Sequence, residues 1–201
     1  MKISLLIQIF LIMTCIPGAG YAKDYAAWKK VNNDGSWTLA AESAVKATTL
    51  PMLVPKDIIT FCPTYHRLDA DKRTRFWAGL LSAMAEPESN FKPETKYSEP
   101  DIVDDNRQRV VSRGLLQISI ESANQKVYGC GIHQAQDLHK VDVNLNCAAR
   151  IMWYWVKKDG LIAAATKPVE GAARYWSVLR AWHGNLSKIT GFTKKMDVCK
   201  P

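Results

Sequence analysis

Glu88 lies in the segment Ala85-Glu86-Pro87-Glu88-Ser89-Asn90-Phe91, at the end of an amphipathic helical pattern, with Met84 and Phe91 available to wall it off from water. Desolvation raises a carboxyl pKa toward neutrality, so a glutamate in such a setting can keep a proton and deliver it to a leaving oxygen. Between Lys92 and Arg113 follow Glu99, Asp101, Asp104 and Asp105, 11 to 17 residues after Glu88, close enough for a hairpin to fold them back toward it. One carboxyl acting as acid, with a second that positions water, suits cleavage of a glycosidic bond. Glu86 is the alternative acid, two residues away and so on another helix face. The loop carboxylates have a plainer use as solvated groups or as partners for Arg107, Arg109 and Arg113. Asp104 and Asp105 are the candidates for a second carboxylate.

A second motif, Arg113-Gly114-Leu115-Leu116-Gln117-Ile118-Ser119 with Ala123, begins 25 residues after Glu88. Taken with Glu88-Ser89-Asn90-Phe91 and Pro93, it resembles the paired signatures of soluble lytic transglycosylases and goose-type lysozymes. The likeness extends loosely to Asp142-Val143-Asn144-Leu145-Asn146-Cys147-Ala148-Ala149-Arg150 and covers roughly residues 60 to 190. The resemblance implies a mainly α, lysozyme-like domain that cleaves the β-1,4 bond between N-acetylmuramic acid and N-acetylglucosamine in peptidoglycan strands, with no cofactor and no metal. It implies that Glu88 is the catalytic acid and base, and that Gln117 and Ser89 meet the sugar. One carboxylate suffices to form a 1,6-anhydro end, which is the expected product. Hydrolysis with a second carboxylate from residues 99–105 is the alternative, and a wall-binding protein without turnover is a more distant one. Where the family carries an AYNAG-like segment, this chain has Arg180-Ala181-Trp182-His183-Gly184-Asn185. Trp182 therefore stands in for the family tyrosine, and Tyr175, two helical turns earlier, is a second candidate for the site.

Elements that would hold these residues follow from periodicity and breakers. An Ala-rich helix is expected from Ser36 to Thr48, stopped by Pro51 and Pro55. Asp69 or Asp71 can cap a helix in which Phe76, Leu80, Ala83 and Met84 share a face, with Pro87 breaking the backbone just before Glu88. Residues 92–113 are expected to form a long loop or a small hairpin. Helices are expected over 119–128, over 141–158 with Gly160 as the stop, and over 169–182, with a basic tail beyond. Trp153, Tyr154 and Trp155 are expected to be mostly core. The organisation is a segment 1–22, an N-terminal helical extension 23–55, and a mainly helical domain 56–201 with at most a small β-hairpin.

Lys2, the apolar run from Ile3 to Ile16, Pro17-Gly18 and the ending Gly20-Tyr21-Ala22 have the order of a secretory signal peptide, and the run is short of the roughly 20 residues that span a bilayer. The chain is thus expected to be exported, to a periplasm or outside the cell, and to have no transmembrane segment after cleavage. A lipid anchor on Cys15 is disfavoured by Thr14 before it. Cys62, Cys130, Cys147 and Cys199 then read as disulfides, with Cys130–Cys147 and Cys62–Cys199 the preferred pairing. No CxxC pair or histidine array suggests zinc. A net charge of +8 suits anionic wall polymers, whereas the export signal and the lack of a basic-aromatic motif speak against nucleic acid.

Overall fold

The computed structural model describes residues 25–201, so the expected signal peptide lies outside the described residues. The helices are α1 (Ser36–Lys46), α2 (Ile58–Phe61), α3 (Ala70–Ser89), α4 (Ile120–Ala123), α5 (Val141–Asp159) and α6 (Leu186–Lys194). A two-stranded antiparallel hairpin, β1 (Lys96–Val103) and β2 (Arg109–Arg113), stands between α3 and α4. The architecture is mainly α with one hairpin, as the residue pattern suggested.

Helix α3 is the axis of the fold. The Asp69 side chain accepts the Lys72 backbone N–H at 2.8 Å and so caps the first turn, which otherwise leaves donors unsatisfied. From Phe76 to Ala85 every residue of α3 is buried, not merely one face, because α1, α6 and the turn at 50–52 surround it. Trp77 donates its indole N–H to the Tyr65 hydroxyl at 2.8 Å, and Tyr65 in turn donates to the Leu53 carbonyl at 3.0 Å. This satisfies the two polar atoms that these aromatics carry into the core. Trp28, Ala41, Val45 and Leu50 belong to the same core, so residues 25–55 pack as part of it.

The backbone departs from expectation at Pro87. The helix runs through it to Ser89 and ends at Asn90, in the left-handed region at φ 52°, with Asn90 and Phe91 N–H groups closing on the Glu86 and Ala85 carbonyls. A proline in the last turn removes a single intrahelical bond, and Pro87 is exposed, so its ring needs no space in the core.

Residues 169–182 differ more. The expected helix is replaced by short 3-10 turns at Gly171–Arg174, Ser177–Leu179 and Ala181–His183, with Trp176 and Arg180 extended between them. Two tertiary contacts impose the breaks. Gly171 has φ +64° and presses against the Leu161 carbonyl where no Cβ fits. Trp176 is buried and donates its indole N–H to the Leu116 carbonyl at 3.0 Å. The expected basic tail instead contains α6, whose Ile189, Thr190 and Thr193 are buried and which packs on α3. The helix expected over 119–128 shortens to α4, capped by Ser119, whose hydroxyl accepts from the Ser122 N–H at 3.1 Å.

Helix α5 ends at Gly160 in the left-handed region. Trp153, Tyr154 and Trp155 are half-buried and pack against the core from its edge, because three successive helical residues, about 100° apart, cannot all face inward. Disulfides join Cys62 to Cys199 and Cys130 to Cys147, the latter fastening the loop after α4 to α5. Among the described residues no helix is long and apolar enough to cross a membrane.

Candidate active site

Glu88 reaches its position because α3 delivers it from a buried core to the floor of a cleft of about 840 Å³. Its carboxyl is held well above the ordinary range, at about 8, first by burial and second by the negative charge of Glu99. At neutral pH it therefore carries a proton. Below it Ser89 turns its hydroxyl back to the Ala85 carbonyl at 3.1 Å, inside the helix and not among the cleft residues.

Glu99 comes from the hairpin. The two strands pair at Ser98 with Val111 and again at Val103 with Arg109, so residues 99–102 bulge opposite Val110 alone. A bulge re-aims side chains, and Glu99 is the one residue of β1 that is half-buried, the others being exposed. Its Oε1 accepts the Ser112 hydroxyl at 2.8 Å, which fixes the carboxylate on the cleft wall. Asp104 and Asp105 also line the cleft. Asp104 uses Oδ1 to accept the N–H groups of Asn106 and Gln108 at 2.9 and 2.8 Å, closing the hairpin turn.

The turn from Arg113 to Ser119 forms a further wall, and Asn144 of α5 holds it. This fully buried side chain accepts the Leu116 N–H and donates to the Arg113 and Leu138 carbonyls, each at 3.0 Å. Gly114, at φ +79°, sits so tightly against Asn144 and the Leu138 carbonyl that no Cβ fits. The glycine of the motif is therefore a packing requirement. Gln117, itself at φ 46°, donates to the Gly114 carbonyl at 2.8 Å and the Thr95 carbonyl at 3.3 Å. Its buried Oε1 has no partner, which leaves an acceptor beside the cleft for a donor on a ligand.

Tyr175 closes the site. Its hydroxyl faces the Ser122 side chain and the Ser119 backbone, and burial, with lesser contributions from Tyr128 and Glu88, raises its pKa above the usual phenol range. It comes from a break between 3-10 turns, so its approach does not depend on a helix shared with Trp182. Trp182 is 44% exposed and does not line the cleft. Of the residues singled out from sequence, the fold brings Glu88, Gln117, Tyr175, Asp104 and Asp105 together and leaves Ser89 and Trp182 aside. It adds Glu99, Asn144, Arg174 and Arg180. Glu99 stood among the loop carboxylates without distinction, and Asn144 lay unremarked in the helix behind the cleft. No spacing signal marked the arginines.

The profile described as Transglycosylase SLT domain matches residues 68–178, the span from the start of α3 through the Tyr175 segment. Solved structures of Bd0314 DslA share the lysozyme-like fold. The wild-type form 2 is 42% identical, with a TM-score of 0.80 over 87% of this chain and 97% of that one. A glutamate-to-glutamine mutant of the same protein is 40% identical, with a TM-score of 0.81 over 89% of this chain and 100% of that one. A second such mutant is 41% identical, with a TM-score of 0.80 over 87% and 97%. No curated protein gave a match. A chain that fits this profile over more than half its length, and places the matched motifs around one cleft, belongs to the transglycosylase SLT domain family.

Proposed function

We propose that this protein is an exported enzyme that cleaves the β-1,4 bond between N-acetylmuramic acid and N-acetylglucosamine in peptidoglycan, with Glu88 as the general acid. The observation that carries the reading is the placement of Glu88 at the end of α3, where it lines one cleft together with Glu99, Gln117 and Tyr175. Glu88 gives its proton to the glycosidic oxygen as the bond from that oxygen to C1 breaks, and the sugar passes through an oxocarbenium-like state. The two disulfides fit an exported chain, and the peptidoglycan substrate of the family lies outside the cytoplasm.

Glu99 favours water as the group that completes the reaction. A hydrolase that inverts needs a second, ionised carboxylate to take a proton from water as its oxygen attacks C1, and Glu99 is anchored in the same cleft for that work. The two glutamates replaced in the DslA mutants are separated by 11 residues, as are Glu88 and Glu99. The second reading, closure of the muramyl C6 hydroxyl on C1 to leave a 1,6-anhydro end, rests on the family match and needs Glu88 alone.

Release of soluble muropeptides from purified sacculi tests the shared step. Wild-type protein should release them, and Glu88→Gln should retain sacculus binding while losing at least about 100-fold in rate. Equal release by the two proteins removes Glu88 from the mechanism.

A further inference from the structure

The cleft is charged unevenly. Its carboxylates come from the end of α3, the hairpin and α4, whereas its guanidiniums, Arg174 and Arg180, come from the broken segment before α6. Both arginines are fixed by their own chain. Arg180 donates Nε to the Ala173 carbonyl at 2.9 Å and Nη2 to the Arg174 carbonyl at 3.4 Å. Neutral carbonyls hold the group without cancelling its charge, and among the described residues Arg180 forms no ion pair with a carboxylate. Arg174 spends Nε on Asp159 at 2.6 Å and lies over the Trp155 ring at 5.3 Å, which sets its plane. Lys158 lies over the same ring at 4.9 Å and adds positive charge beside it.

A preorganised guanidinium that lines a ligand cleft and lacks a counter-ion calls for an anion on the ligand, and its fork geometry matches a carboxylate. A glycan strand of N-acetylated sugars has no charge of its own in its sugar rings. The peptide stems on the muramyl lactyl groups carry carboxylates. We propose that Arg180, supported by Arg174, forms a subsite for a peptide-stem carboxylate of the strand held in the cleft, so that stem-bearing glycan is preferred to stripped glycan. This rests on the reading of the cleft as a peptidoglycan site.

Binding to sacculi freed of wall phosphate polymers tests the subsite without turnover. The Glu88→Gln protein is sedimented with sacculi bearing intact stems, with the same glycan after an amidase has removed the stems and the lactyl carboxylates so freed have been converted to carboxamides, and with sacculi whose stem carboxylates have been converted to carboxamides. Loss of one charge-assisted contact predicts about tenfold weaker binding to either altered glycan. With Arg180→Gln added, the three materials should bind within about twofold of one another, and Arg180→Lys should restore part of the preference. Equal preference with and without Arg180, or no preference at all, overturns the proposal. If Arg180→Gln fails to fold by thermal unfolding, Arg180→Lys and the carboxamide material still decide. Stem-dependent binding by a protein that releases no product would leave the subsite standing and sink the proposed function. Release without stem preference would do the reverse.

Discussion

Glu88 is carried by a 20-residue helix with buried residues around most of its length, whereas Glu99 is carried by a strand whose other residues are all exposed. Behind the first lies a continuous core; behind the second is one hydroxyl, that of Ser112. The two supports suit two tasks. A proton donor must sit in a dry place that does not relax when it ionises, because relaxation would lower its pKa toward that of an ordinary carboxyl. A group that orients water needs access to water, and a hairpin with a bulge supplies it. On the proposed mechanism, the comparison teaches that the acid is specified by the core, and the fate of the cleaved bond by an appendage to it.

The sharpest way to break the comparison is at Glu88. Beyond the loss of turnover already described, burial of this group makes stability depend on pH. Its folded pKa of about 8 lies above the unfolded value near 4.5. Its contribution is fully present below pH 4.5 and is lost as pH rises through about 8. Urea unfolding from pH 4 to 9 should therefore show a decline in the wild type that Glu88→Gln lacks; identical slopes would mean that the carboxyl is solvated.

The next largest effect should come from the wall that faces the hairpin. Asn144→Ala removes a fully buried side chain that accepts one bond and donates two, leaving the Leu116 N–H and the Leu138 carbonyl without that partner and the Arg113 carbonyl with only the Ile118 N–H. A cost of about 3 kcal/mol in chemical denaturation is expected, with reduced turnover at temperatures where the protein remains folded. A change below about 0.5 kcal/mol would show that the turn holds itself.

Glu99→Gln should disturb the fold least and is more diagnostic of the chemistry. Losing a negative charge near Glu88 lowers the acid's pKa, so the alkaline limb of residual activity should move to lower pH, while the helix and core keep their stability. A limb that stays in place would separate the two carboxylates.

Much of this was legible in advance where local rules and packing agree. Asp69 and Gly160 bound their helices as caps do, and α5 follows its apolar repeat. The reading failed where a distant contact overrode a local preference. The sequence 169–182 has helical periodicity, but the Trp176 indole reaches the Leu116 carbonyl 60 residues away and Gly171 meets Leu161. At the site, Glu88 and Gln117 were visible because their motifs are contiguous. Glu99 could not be told from Asp101, Asp104 or Asp105 because the bulge that turns it inward is a property of strand register, which alternation alone leaves open. Arg174 and Arg180 were invisible for a related reason: both sit on a segment whose course local periodicity does not predict, Arg180 held there by the Ala173 and Arg174 carbonyls and Arg174 by the Asp159 carboxylate.

Digestion of sacculi in water enriched in heavy oxygen tests the division of labour between Glu88 and Glu99 most directly. Mass spectrometry of the released muropeptides should find muramic acid reducing ends carrying one heavy oxygen, with their formation strongly reduced in Glu99→Gln. Unlabelled 1,6-anhydro ends from the wild type, made at the same rate by Glu99→Gln, would contradict it and leave Glu88 as the sole catalytic carboxyl.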